Sequence, residues 1–212
     1  DRRLGKEGEG MTQPVVYTLV YSTAGFLSGS VLYSAYLPRW LKGIDTTKVS
    51  EDKNPGAFNA FHYAGVVVGS LCLACDMAKG YLPVMLAAKA MDPGYPLFSV
   101  VMLAPVAGHA FSPLRRFRGG KGIAVSFGVL LALMPKNLVV LALVAAYLGS
   151  LLLKLHPNER RTVAAFSAFG LIAMLFRHPV SIKVGCLLIA LLVNYKNWQD
   201  ANLPVLRIRN HF

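Results

Sequence analysis

GVVVGSLCLACDMAKGYLPVMLAAKA, residues 65–90, carries only Asp76, Lys79 and Lys89 as charged side chains along its whole length. Roughly 20 predominantly apolar residues carry a helix across about 30 Å of hydrocarbon, so this stretch reads as a membrane segment. Further apolar blocks stand on both sides of it, and the sequence predicts helices over 14–38, 61–90, 96–111, 122–134, 137–154, 162–176 and 179–197. The expectation is an all-α polytopic membrane protein with seven transmembrane helices, several of them short or broken. Around MPKN, Pro135 and Asn137 favour a helix hairpin over one continuous element.

Composition agrees with this reading. Of 212 residues, 55% are hydrophobic and 15% charged, where a soluble globular domain is nearer one quarter charged. Mean hydropathy is +0.49. Residues 1–13 open with the polar, Gly-rich DRRLGKEGEG and are set apart as a disordered or appended segment, leaving 14–212 as one membrane-embedded domain. Cys72, Cys75 and Cys186 are an odd set within apolar stretches, which speaks against a disulfide framework, and the Cys72–Cys75 spacing has no second pair to complete a zinc site.

The formal charge of +12 could indicate nucleic acid in a soluble protein, but here the basic residues sit between apolar blocks. Arg39, Lys42, Lys48, Lys53, Arg115, Arg116, Arg118, Lys121, Lys154, Arg160, Arg161, Lys196, Arg207 and Arg209 fall on one predicted side. Lys89, Lys136, Arg177, Lys183 and the three basic residues of the N-terminus fall on the other. The bias puts the C-terminus and the richer loops in the cytoplasm and the N-terminus outside. GFLSGS and GVVVGS add small-residue faces that allow close helix contact.

Chemistry concentrates in a few places. Asp76 and Lys79 share one side of a helix, either as structural neutralisation or as an anion-binding lysine held by its aspartate. GHAFSPLRRFRGGKG, residues 108–122, combines His109, Arg118 and a Gly119-Gly120-Lys121-Gly122 turn just before an apolar helix. Successive glycine amides and a helix start suit a phosphate, while a basic turn that only sets topology is the alternative. Asn54, Gly56, Ala57 and Asn59 form a second loop on the same predicted side, either an oxyanion cradle or an ordinary connector. HPNERRTVAAF adds Glu159, Arg160 and Arg161 ahead of Thr162, more weakly. The chain has no P-loop, no GxSxG elbow and no clustered His/Cys set, so no catalytic metal is expected.

Those motifs resemble the bacterial acyl-phosphate:glycerol-3-phosphate acyltransferase family. The likeness runs through LSGSVLYSAYLPRWLKGID, DKNPGAFNA, CDMAKG and GHAFSPLRRFRGGKG, and weakly to NYKNWQDANLPVLRIRNHF, over roughly residues 15–212. It implies transfer of a fatty acyl group from acyl phosphate to the 1-hydroxyl of glycerol 3-phosphate, giving lysophosphatidic acid and phosphate with no metal, no other cofactor and no acyl-enzyme. It further implies catalytic roles for Lys79, His109 and Lys121 and substrate or phosphate binding by Ser30, Asn54, Gly56, Ala57, Asn59, Arg118, Gly119, Gly120 and Gly122, with Asp76 as support. The partners expected are the two substrates and membrane lipids, with no nucleic acid and no obligate protein partner. A bacterial inner or plasma membrane is the implied location, the active site facing the cytoplasm.

The chain departs from the family's pattern at Asp52-Lys53, at Phe58, at His62 and at Tyr195-Lys196-Asn197-Trp198. A different phosphorylated acceptor is one consequence to weigh. A transporter using the same basic cavity, or a noncatalytic lipid-binding protein, are the readings from other functional classes.

Overall fold

The computed structural model describes the backbone of residues 2–153 and 157–207 and the side chains of 13–153 and 157–199. Among the described residues the regular elements are helices: α1 Arg2–Ser30, α2 Tyr33–Lys42, α3 Thr46–Val49, α4 Ala57–Ala64, α5 Val66–Ala90, α6 Phe98–Ala110, α7 Ile123–Leu131, α8 Val139–Leu152, α9 Asn158–Leu175 and α10 Val180–Arg207. A 3₁₀ turn, Pro113–Arg115, lies between α6 and α7.

The expectation of seven transmembrane helices is not met. Among the described residues three segments are long and apolar enough to cross a bilayer: Gln13–Lys42, Val66–Ala90 and Val180–Gln199. The reason is length. The 13 residues of α6 rise about 20 Å at 1.5 Å each, well short of about 30 Å of hydrocarbon. The 9-residue α7 and 14-residue α8 also fall short, and α9 opens on the polar run Asn158-Glu159-Arg160-Arg161.

Two expected helices are also divided. The 14–38 block breaks after Ser30 and restarts as α2 at Tyr33. The 61–90 block breaks at Gly65, whose φ of +89° is a left-handed conformation that a side chain resists. Apolar periodicity reports which residues avoid water and is blind to such interruptions, because both halves stay apolar.

α6 is the central helix, with α1 and α10 packed on it; α5 packs on α1, α4 and α7, and α9 on α8 and α10. Phe98, Val101, Met102 and Val106 of α6 join Phe166 and Phe169 of α9 and Ile182, Cys186 and Ile189 of α10 in one buried core. α1 and α6 approach through glycine on each side. A Cβ at Gly29 would strike the Pro105 carbonyl, and one at Gly108 would strike the Phe26 carbonyl. The small-residue face expected of GFLSGS is therefore a true backbone contact.

Candidate active site

The break between α1 and α2 leaves carbonyls without helical partners, and a buried ion pair on α5 serves it. Lys79 Nζ lies 2.8 Å from Asp76 Oδ1, one helical turn away, and the ammonium donates to the Val31 carbonyl inside the break. Asp76 Oδ2 accepts from Ser34 Oγ at the start of α2, while Ser28 Oγ donates to the Lys79 carbonyl at 3.0 Å. Ser30 is tied up in the same joint: its hydroxyl donates to the Phe26 carbonyl at 2.7 Å, and its own carbonyl accepts from Ser112 Oγ at 2.6 Å.

Above this floor the Gly-rich turn folds back on the end of α6. Gly119 N–H donates to the Ala110 carbonyl at 3.2 Å and Gly120 N–H to the His109 carbonyl at 3.0 Å, so both amides cap α6. A Cβ at Gly120 would collide with His109 Nε2, so glycine lets the imidazole lie directly under the turn. Gly122, with φ +80°, starts α7.

Asp52 organises the other loop. Its Oδ1 accepts from Asn59 Nδ2 at 2.8 Å and from the Asn54 amide at 3.2 Å, and Asn59 Nδ2 also donates to the Asn54 carbonyl at 2.8 Å. Its Oδ2 receives Lys121 Nζ at 3.0 Å. The same ammonium reaches Glu159 Oε1 at 3.0 Å, so one lysine ties together three segments distant in sequence. Burial alone would raise the Asp52 carboxyl, but Lys121 and the surrounding hydrogen bonds outweigh it and hold the group below its ordinary range. Burial alone would lower the Lys121 ammonium, and the paired carboxylates outweigh it in the opposite sense.

These parts enclose a cavity of about 660 Å³. Asn54, Gly56, Ala57, Asn59, Asp76, His109, Lys121 and Gly122 all line it, so the two anion-compatible loops read from the sequence do converge. Lys79 and Ser30 stand behind the lining, Gly119 and Gly120 support the turn, and Arg118 belongs to a different cavity. Leu73, Phe127 and Tyr147 give the space an apolar wall, the last two rings meeting edge-on with centroids 6.1 Å apart.

Sequence reasoning undervalued the start of α9 and the end of α10. Glu159, Arg161, Thr162 and Asn197 all reach the cavity. Among the described residues His109 Nδ1, Arg161 Nε and Asn197 Oδ1, on side chains of the lining, are buried without a hydrogen-bond partner. The charged cluster after Pro157 was the available signal; Asn197 carried little, being one amide at the end of an apolar run.

A glycerol-3-phosphate acyltransferase of Thermotoga petrophila is 41% identical over 115 residues, 54% of this chain, and the match spans 57% of that relative's length. One from Hydrogenobaculum is 33% identical over 195 residues, covering 90% of this chain and 94% of its own. The crystal structure of PlsY (YgiH), an integral membrane glycerol 3-phosphate acyltransferase, in its glycerol 3-phosphate form, superimposes with a TM-score of 0.77 at 27% identity, over 92% of this chain and 94% of that one. The sequence profile described as glycerol-3-phosphate acyltransferase matches residues 19–203. With a profile match over most of the chain, a relative aligned almost end to end and a shared fold, this chain belongs to the glycerol-3-phosphate acyltransferase family.

Proposed function

We propose that this multi-pass membrane protein transfers a fatty acyl group from acyl phosphate to the 1-hydroxyl of glycerol 3-phosphate, releasing lysophosphatidic acid and inorganic phosphate. The observation that carries the proposal is one cavity with two characters. Lys121 and Arg161 supply cationic groups among the polar lining residues Asn54, Asn59, His109 and Asn197, and Leu73, Phe127 and Tyr147 supply an apolar wall for the acyl chain. PlsY structures in glycerol 3-phosphate and lysophosphatidic acid forms share this fold.

In the proposed reaction the acceptor hydroxyl oxygen attacks the acyl carbonyl carbon, the carbonyl-to-phosphate C–O bond breaks, and the hydroxyl proton leaves on the departing phosphate. The lysine pinned by Asp52 and Glu159 exchanges carboxylates for substrate phosphate, and α7's first-turn amides at Ile123 and Ala124 add donors there. His109 and Asn197, on the cavity lining, orient the acceptor, which favours attack geometry over diffusion. Asp76 and Lys79 keep the floor in shape beneath the reacting groups.

We place the cavity mouth on the cytoplasmic side. Arg39, Lys42, Lys48, Lys53, Arg115, Arg116 and Arg160 stand on the segments around it, whereas Lys89, Lys136, Arg177 and Lys183 flank the turns that lead away from it. The test of function is direct. Purified protein incubated with palmitoyl phosphate and a panel of phosphorylated polyols should yield 1-acylglycerol 3-phosphate by mass spectrometry. A product formed only from another polyol would reassign the acceptor, and no acyl product from any would remove the enzymatic reading.

A further inference from the structure

A second cavity, of about 540 Å³, shares no lining residue with the first. Arg39, Arg115, Arg116 and Arg118 border it, with Tyr36 and Asp45. The one carboxylate on its lining, Asp45, accepts at Oδ1 from Thr47 N–H at 3.2 Å and from Thr47 Oγ1 at 2.7 Å and also feels the charge of Arg115. None of the ion pairs among the described residues involves these four arginines, and Arg115 Nη2 makes a 3.4 Å contact with Thr47 Oγ1. Four arginines thus share this space with one carboxylate, which leaves an excess of positive charge. Planar guanidinium forks match phosphate oxygens better than any other side chain.

The surroundings select the source of that phosphate. Arg39 lies near the end of the apolar span Gln13–Lys42, and the ends of such spans meet the headgroup region. Trp40 is 74% exposed, Leu114 63% and Phe117 64%, a margin of apolar side chains beside the arginines. Tyr36 and Trp40 stack with centroids 5.7 Å apart, and such rings favour the membrane interface. The turn is fixed in this form by left-handed backbone at Arg116, φ 52°, and Phe117, φ 61°.

We infer that this cavity binds the phosphate headgroup of an anionic glycerophospholipid of the surrounding bilayer, whose chains lie along Trp40, Leu114 and Phe117. It is a site for host lipid, separate from the site for reactants. Basic pockets at this depth are suited to such headgroups.

Trp40 and Trp198 are the two tryptophans, so Trp198→Phe leaves Trp40 as the reporter. In phosphatidylcholine vesicles, brominated phosphatidylglycerol should quench Trp40 at about one fifth or less of the mole fraction needed with brominated phosphatidylcholine. Arg39→Gln with Arg116→Gln should abolish that preference while the melting temperature holds; Arg39→Gln alone, which should weaken it, serves if the double variant does not insert. Equal quenching by the two lipids overturns the inference, as does a preference that survives the variants. Release of the brominated phosphatidylglycerol by millimolar inorganic phosphate or glycerol 3-phosphate also overturns it, by assigning the arginines to a soluble anion.

Discussion

Lys121 and Lys79 are both buried lysines beside carboxylates, yet they do different work. Lys121 lines the cavity and bridges Asp52 and Glu159, so Lys121→Ala should remove a charge-assisted contact to substrate phosphate worth roughly 1.5–3 kcal/mol. That is a fall of about 10- to 150-fold in kcat/KM, measured at saturating acyl phosphate. Asp52→Asn, by contrast, loosens the resting grip on Lys121, and should change the KM for the acceptor more than kcat. Lys79 points into the α1–α2 break instead. Asp76→Asn strands its ammonium in a buried place and should destabilise the fold by about 3–5 kcal/mol, seen as a lower melting temperature in detergent. The sequence spacing brought Asp76 and Lys79 together but could not show the Val31 carbonyl, which lies 48 positions away. The Asn54–Asn59 loop was legible for the opposite reason: its hydrogen bonds are made over a few residues, and Gly, Pro and Asn state that geometry locally.

At the scale of elements, the loop before α4 is held by charge and α1 by shape. Asp52 is shifted below its ordinary 3.8, so its contribution is present above that value and fades as pH falls through the lower, folded one. Lys121 is shifted above 10.5, so its contribution is complete below that value and fades as pH rises through the higher one. Hydrogen exchange of the amides in 50–59 should therefore show protection against opening that is level between about pH 5 and 9 and weakens at both extremes. The α1–α6 contact carries no charge, and Gly108→Ala would press a methyl group against the Phe26 carbonyl. We expect that substitution to cost about 1–3 kcal/mol or more at every pH, because backbone on both sides must move. Small-residue spacing announced this contact, whereas helix ends were harder to read. Gly65 interrupts an unbroken apolar run, and the short α6 and α7 are as apolar as a span without having its length.

For the whole molecule, the space of about 660 Å³ falls within the 300–1,000 Å³ usual for small-molecule sites, and the proposed reaction has both substrates bound in it at once. Initial rates should accordingly give intersecting patterns when both substrates are varied; parallel lines with a trapped acyl-protein would contradict direct transfer. The family was legible because its loops keep recognisable Gly, Asn and Lys positions, while the number of crossings depended on helix lengths that hydropathy does not register. One joint links these levels. Asp76 faces the cavity, and through Lys79 the same ion pair fastens the bend in the first span. The bend and the cavity floor are therefore riveted together at one point, so straightening the span would have to pull on a side chain that lines the cavity.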